Sequence, residues 1–382
     1  MRTFIMALST SPENCRSPLS IPITYRKHIP NPAVSVMELL TFDPPPLLNP
    51  SGTDLTPVFS PRKPTIEPAL LQKLPIPPLD FTRSAKSAFE QAHFDGRLSI
   101  VHPQDMTVHL PFWILTYWER MSHVLTTRTR WFKARIWLQD LVTAIHPMSA
   151  LANKALDSLA IIGWDILLSG PAKHLLTRDL IPLLSTSEIA GHLLDGILLR
   201  VIDRISATQH LSGKVLLEDL SLSQTLGLLE VEQESYHSKR SFKHLRDVGD
   251  RLASGTIELA IIPLNVEGVH WAVFFIDVQH CRLQYGDSLG WDPPMADVQR
   301  IQRWLRLHGF PTFSEVGRLP SGRQDDSYSC AIAMVNTIEH FLFDEPIFIN
   351  LNKHYLRIRE YILLIEPLLN VRSYLSICVN TS

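Results

Sequence analysis

The chain has 382 residues, is 45% apolar and 19% charged, and carries a formal net charge of −2. That length suits two or three domains with a sizeable core, and a near-neutral chain sets up no global field for nucleic acid or an anionic membrane. Its four cysteines (Cys15, Cys281, Cys330, Cys378) include no Cys-x-x-Cys pair; this excludes a disulfide scaffold and a four-cysteine zinc site, and fits a reducing intracellular compartment, nucleus or cytoplasm.

The opening residues MRTFIMALSTSPENC have one basic side chain and a very short apolar run, a poor signal peptide. No run of about 18 uninterrupted apolar residues occurs, so no membrane span is expected. Residues 1–80 hold 16 of the 28 prolines. Proline at that density removes backbone donors and blocks helix, which predicts an extended, disordered leader.

A helical extension is predicted over 81–160, continuing to about 205. The stretches PFWILTYWERMSHVL, TRWFKARIWLQDLVTAI, ANKALDSLAIIGWDILL and STSEIAGHLLDGILLRVIDRI carry apolar residues at three-to-four spacing. Ser185, Thr186 or Ser187 is available to cap the last of them. Arg128, Arg130, Lys133 and Arg135 alternate with Trp131, Phe132 and Trp137, a pattern also found at nucleic-acid interfaces. A helix with an aromatic inner face and snorkelling basic outer face accounts for it, so no specific nucleic-acid binding is expected.

From residue 256 the pattern changes. TIELAIIPLN, VHWAVFFIDV and CRLQYGDS are rich in β-branched and aromatic residues, and predict three adjacent short strands. MADVQRIQRWLRLHG reads as a helix, FPTFSEV as a strand, and CAIAMVNTIEHFLF and NKHYLRIREYILLIEPLL as helices. Strands clustered between helical blocks predict an α+β domain over 161–382.

Two chemistries compete within this domain. Gly286-Asp287-Ser288-Leu289-Gly290 satisfies the G-x-S-x-G pattern of a serine-hydrolase elbow, which would make Ser288 a nucleophile. An elbow needs a helix directly after the serine, and Pro293-Pro294 interrupt one here. No Asp-x-x-His of the GDSL esterases follows either: Leu305, Thr337 and Leu351 stand three residues before His308, His340 and His354. Ser288 is therefore read as a turn residue. The alternative uses Asp287. His270 lies seventeen residues before it, a spacing that fits facing positions on neighbouring strands, where a carboxylate orients an imidazole. Cys330 opens an apolar helix, where the helix dipole and an imidazolium favour a thiolate, with Ser327 or Ser329 available as cap. Gln324, six residues earlier, has an amide suited to an oxyanion. Singly, each also reads as an ordinary core or turn residue.

The order His-Trp, Asp-Ser-Leu, Gln-x5-Cys in IPLNVEGVHWAVFFIDV, YGDSLGW and RQDDSYSC resembles the ubiquitin-like-protein (SUMO-type) cysteine proteases, as a divergent member. The resemblance implies a papain-like, adenoviral-proteinase-like fold with a small central sheet flanked by helices. It implies His270 as base, Asp287 as its orienting carboxylate, Gln324 as oxyanion donor, Cys330 as nucleophile, and Trp271 flanking a channel for a C-terminal Gly-Gly. The implied partner is a ubiquitin-like modifier or its conjugates, with no cofactor or metal. The chain departs from the family in having Ser329-Cys330-Ala331 where Asp-Cys-Gly is usual, and Leu183 or Leu184 where a tryptophan forms the second channel wall. A catalytically inactive module that binds a ubiquitin-like protein, a serine esterase using Ser288, and an acyltransferase on the same scaffold are the alternatives.

Overall fold

A computed structural model describes residues 17–49, 56–66, 68–144, 148–313 and 316–380. The chain divides into two compact units, Met1–Phe132 and Lys133–Ser382.

The first unit contains helices α1 (Ile23–Arg26), α2 (Val36–Thr41), α3 (Pro68–Leu71) and α4 (Leu79–Phe94). A sheet of β1 (Phe59–Ser60), β2 (Ser99–His102) and β3 (Asp105–Leu110) accompanies them, followed by the start of α5 (Trp113–Ala144). Much of the expected leader is therefore packed, although residues 1–16 and 50–55 lie outside the described residues. Ser35 and Glu38 close a capping box on α2. Ile21, Leu71, Leu74 and Ile76 join Phe81, Ile100, Trp113 and Trp118 in one core. Proline lacks a donor but keeps its carbonyl, and Pro46 O accepts the Ile76 N–H at 2.7 Å. Helical periodicity missed the β2–β3 hairpin. Two predicted helices fuse into α5, on which Trp131 is buried and Arg128 donates to Leu40 O, while Phe132 is 50% exposed and so does not join the aromatic inner face expected.

The second unit continues with α6 (Ser149–Ser158), a 3₁₀ stretch over Thr177–Leu184, α7 (Gly191–Ala207), β4 (Val215–Leu217), α8 (Leu220–Glu232) and α9 (Lys243–Ala253). The three predicted strands follow as β5 (Leu259–Val266), β6 (His270–Asp277) and β7 (Arg282–Gly286). Next come α10 (Met295–Leu307), β8 (Val316–Arg318), α11 (Cys330–Phe343) and α12 (Lys353–Asn380). The sheet order is β4-β5-β6-β7-β8, antiparallel in its centre and parallel at both edges. Among the described residues of FPTFSEV only the final valine enters a strand.

Both faces of this sheet are covered, which is why its central strands read as continuous apolar runs. Ala260, Ile262, Phe274, Ile276 and Leu283 pack with Leu226 of α8, Val248 of α9 and Trp304 of α10. On the opposite face Phe275 meets Phe341 of α11 edge to face at 4.7 Å. Gly286 permits this close approach: a Cβ there would lie 2.9 Å from Thr337 Cγ2.

Helices α7, α11 and α12 are joined by charge. Buried Glu339 accepts from Arg200 at 2.9 Å, Arg204 at 3.3 Å and Arg359 at 2.8 Å, and Arg200 also reaches Glu360 at 2.9 Å. Burial raises the Glu360 carboxyl to about 7, whereas at Glu339 the effect of burial is outweighed by Arg200 and Arg359, which hold it below its ordinary value. Breaking such a cluster leaves buried charge without a counter-charge. Glu339→Ala should therefore cost about 3–5 kcal/mol, read as a lower urea midpoint with an unchanged m-value.

Candidate active site

The β5–β6 hairpin turns through Glu267 and Gly268 and delivers His270 to the first position of β6. Strand β7 pairs Gly286 with Val273, so Asp287 emerges beside the start of β6. His270 Nε2 and Asp287 Oδ2 are 2.8 Å apart, as the seventeen-residue spacing predicts. The carboxylate is fully engaged. Tyr285 Oη donates to Oδ2 at 3.0 Å, and the backbone N–H groups of Leu289, Gly290 and Trp291 donate to Oδ1 at 2.8, 2.6 and 3.2 Å. Gly290 takes φ +72°, the left-handed conformation this tight turn requires. Burial alone would raise the Asp287 pKa. The bonds from His270, Tyr285 and Trp291 N–H outweigh it and hold the carboxyl below its ordinary range.

With Nε2 held by Asp287, Nδ1 is the ring nitrogen left for Cys330, which lies near enough to raise the His270 pKa. Burial pushes the imidazole pKa down. The hydrogen bonds and negative charges of Asp287 and Cys330 push it up further, to about 9. The Trp291 ring covers His270 with centroids 4.9 Å apart. Cys330 is 7% exposed and is the first residue of α11.

Neither serine proposed as cap for α11 acts as one. Ser329 stands at the cap position but its side chain makes no capping bond; Asp326 instead orders the turn before the helix, its Oδ1 accepting from the N–H groups of Tyr328 and Ser329 at 2.9 and 2.8 Å, and its Oδ2 from Ser329 Oγ at 2.8 Å and Lys353 Nζ at 2.9 Å. Arg357 is fully buried behind this loop and donates to Tyr328 O at 3.2 Å and to Pro182 O and Ser187 O at 2.5 Å; burial lowers its guanidinium to about 10. The Asp-x-x-Ser spacing before Cys330 was a readable turn signal. Arg357 had none, because its partners lie far away in the chain.

Gln324 is tied to the turn after Asp287. Its N–H donates to Ser288 O at 3.0 Å, its Oε1 accepts from Ser288 Oγ at 2.6 Å, and its Nε2 donates to Asp326 O at 2.7 Å. Ser288 thus gives its hydroxyl to Gln324, and no described hydrogen bond joins it to a histidine, which leaves the serine-nucleophile alternative without a base.

A cleft of about 500 Å³ opens on Cys330, walled by Trp271, Asn265 and Val269 on one side and Glu188–Gly191 on the other. Leu183 and Leu184 are 0% exposed and cannot form that wall. The α7 helix starts beyond the three residues proposed as its cap: Ala190 occupies that position, and no side chain caps it. Trp271 also borders a neighbouring groove of about 470 Å³ that includes Glu267 and Arg300. Among the described residues no group of three or more His, Cys, Asp or Glu side chains is arranged to hold a metal ion. No described helix is long and apolar enough to cross a membrane.

No family model and no curated protein matches the chain. Among solved structures, it is similar to the C-terminal Ulp1 protease domain in complex with Smt3, the yeast ortholog of SUMO. Identity is 16% and the TM-score 0.40, over 52% of this chain and 86% of that one. It is similar to the Chaetomium thermophilum Ulp1-like SUMO protease catalytic domain at 13% identity and a TM-score of 0.35, over 56% and 78%. For the Xanthomonas campestris effector XopD bound to ubiquitin the values are 18% and 0.30, over 46% and 91%. The fold is α+β, with a cysteine opening a helix and a histidine on the adjacent sheet.

The folded chain binds the His270 proton more tightly than the unfolded chain, whose histidine titrates near 6.5. The stabilisation from this pair is complete below pH 6.5 and is lost as pH rises towards 9. Asp287→Asn removes the main charge that holds the proton, so the His270 midpoint should fall from about 9 towards 6.5 in imidazole NMR titrations; an unmoved midpoint would contradict the pairing.

Proposed function

We propose that the chain is a thiol peptidase or isopeptidase that cleaves after the C-terminus of a ubiquitin-like modifier. The observation that carries this is the line Asp287–His270–Cys330 at the end of a cleft bordered by Trp271. An ionised aspartate raises the basicity of an imidazole, the imidazolium favours the adjacent thiolate, and the thiolate is the nucleophile.

The reaction follows from these positions. Cys330 Sγ adds to the scissile carbonyl carbon, and the carbonyl oxygen becomes an oxyanion that the Cys330 N–H and the Gln324 Nε2 stabilise. The tetrahedral adduct collapses to a thioester as the C–N bond breaks, and His270 gives its proton to the leaving amine. His270, now neutral, takes a proton from water as the water attacks the thioester, and the acid and the thiolate–imidazolium pair are regenerated. The slender cleft admits an extended C-terminal tail, which fits a modifier ending in small residues.

The test is a panel of C-terminal vinyl-sulfone probes built on SUMO, ubiquitin and related modifiers. Labelling by at least one probe is expected, and Cys330→Ala should remove it. On the matching cleavable substrate the same change should lower kcat/KM by at least about 10⁴-fold. Absence of labelling across the panel would favour the binding module without catalysis, and labelling by a fluorophosphonate at Ser288 would favour the esterase.

A further inference from the structure

Ser288 is 3% exposed and belongs to the turn that wraps Asp287, yet none of its hydrogen bonds serves that carboxylate. Its carbonyl and its hydroxyl both go to Gln324. The Ser288 carbonyl accepts the Gln324 N–H at 3.0 Å, and its hydroxyl lies 2.6 Å from Gln324 Oε1. On the other side of the carboxamide stands the Asp326 carbonyl, 2.7 Å from Nε2.

These two contacts determine which way the amide faces. A carbonyl oxygen only accepts, so the atom beside Asp326 O is the NH₂ group. The oxygen of the carboxamide must then face Ser288, whose hydroxyl has to be the donor. A flipped amide would set Oε1 against the Asp326 carbonyl, two acceptors in contact in a half-buried place. One of the two Nε2 hydrogens is used by Asp326 O, and the other is left to give.

We infer that Ser288 is a positioning residue for the oxyanion donor: its hydroxyl holds the Gln324 carboxamide in the one orientation that presents an N–H to the reacting carbonyl. The inference rests on the peptidase reading above. Without the hydroxyl, Oε1 loses its donor, the amide samples other rotamers, and the donor is no longer preorganised for the charge that develops only in the transition state. Such a loss appears in kcat and leaves ground-state binding alone. The serine of the esterase-like tag thus contributes to acyl transfer through an amide and not through its own oxygen.

The experiment is a double-mutant cycle on the modifier substrate that the wild-type chain cleaves. Ser288→Ala should lower kcat about tenfold with KM within twofold, less than removal of a whole oxyanion donor costs, about 10²–10³-fold. In a Gln324→Ala background the same change should cost nothing further, because the group it positions is gone. Ser288→Thr retains the hydroxyl and should keep kcat within threefold, and it reports on the hydroxyl if the alanine variant does not fold. Modifier binding to the Cys330→Ala chain should be the same with and without Ser288→Ala. A folded Ser288→Ala chain with wild-type kcat, an equal loss in the presence and absence of Gln324, or a threonine variant as impaired as the alanine one overturns the inference. If the wild-type chain cleaves none of the substrates, the peptidase reading falls and the inference with it; if it cleaves them and the cycle is additive, only the inference falls.

Discussion

The Asp287 carboxylate is the constraint on which the site depends. An ionised carboxylate in a dry place is tolerable only if its oxygens are saturated with donors. Here five groups donate, from the first residue of one strand, the end of the next, and three consecutive N–H groups of the following turn. Each donor is fixed in return. His270 loses its freedom to rotate and presents its other nitrogen to sulfur. The turn is wound tightly enough to direct the Ser288 hydroxyl at Gln324. A single charge thus sets base, turn and amide together.

The nucleophile is held by a separate device on the opposite side of the cleft. Asp326 closes the open N–H groups before α11, Lys353 neutralises Asp326, and Arg357 ties the Tyr328 carbonyl to the segment that leads into the cleft wall. Cys330 follows this braced turn directly, as the first residue of α11. The sheet and α11 meet through Phe275–Phe341 and the bare Gly286, which sets the distance between the histidine strand and the cysteine helix. A side chain at 286 would push those two elements apart.

Local pattern made the central strands legible, because both faces of the sheet are buried and the apolar runs are unbroken. The helices α10 and α11 were legible for the same reason in helical form. The His270, Asp287, Gln324 and Cys330 spacing was legible because each residue stands at an element boundary that local signals mark. Strand β4 has only three residues and α8 has no clear apolar face, whereas α9 carries a readable helical period through Leu245, Val248 and Leu252; the proline count misled over the described residues between 17 and 80. There, apolar side chains such as Ile21, Leu39 and Ile76 find a core, and proline carbonyls still accept.

The sequence by itself therefore determined the element types of the sheet, the α+β class, and which four side chains are candidates for chemistry. Only the tertiary structure decided how they are supported: Asp326 ordering the turn before α11, residues 188–191 rather than Leu183 or Leu184 as cleft wall, and Ser288 as partner of Gln324. The reason is distance along the chain. Arg357 and Pro182 are 175 positions apart, and Ser288 and Gln324 36. Periodicity and capping rules act over a few residues, whereas a hydrogen bond between distant loops exists only once the core has brought them together.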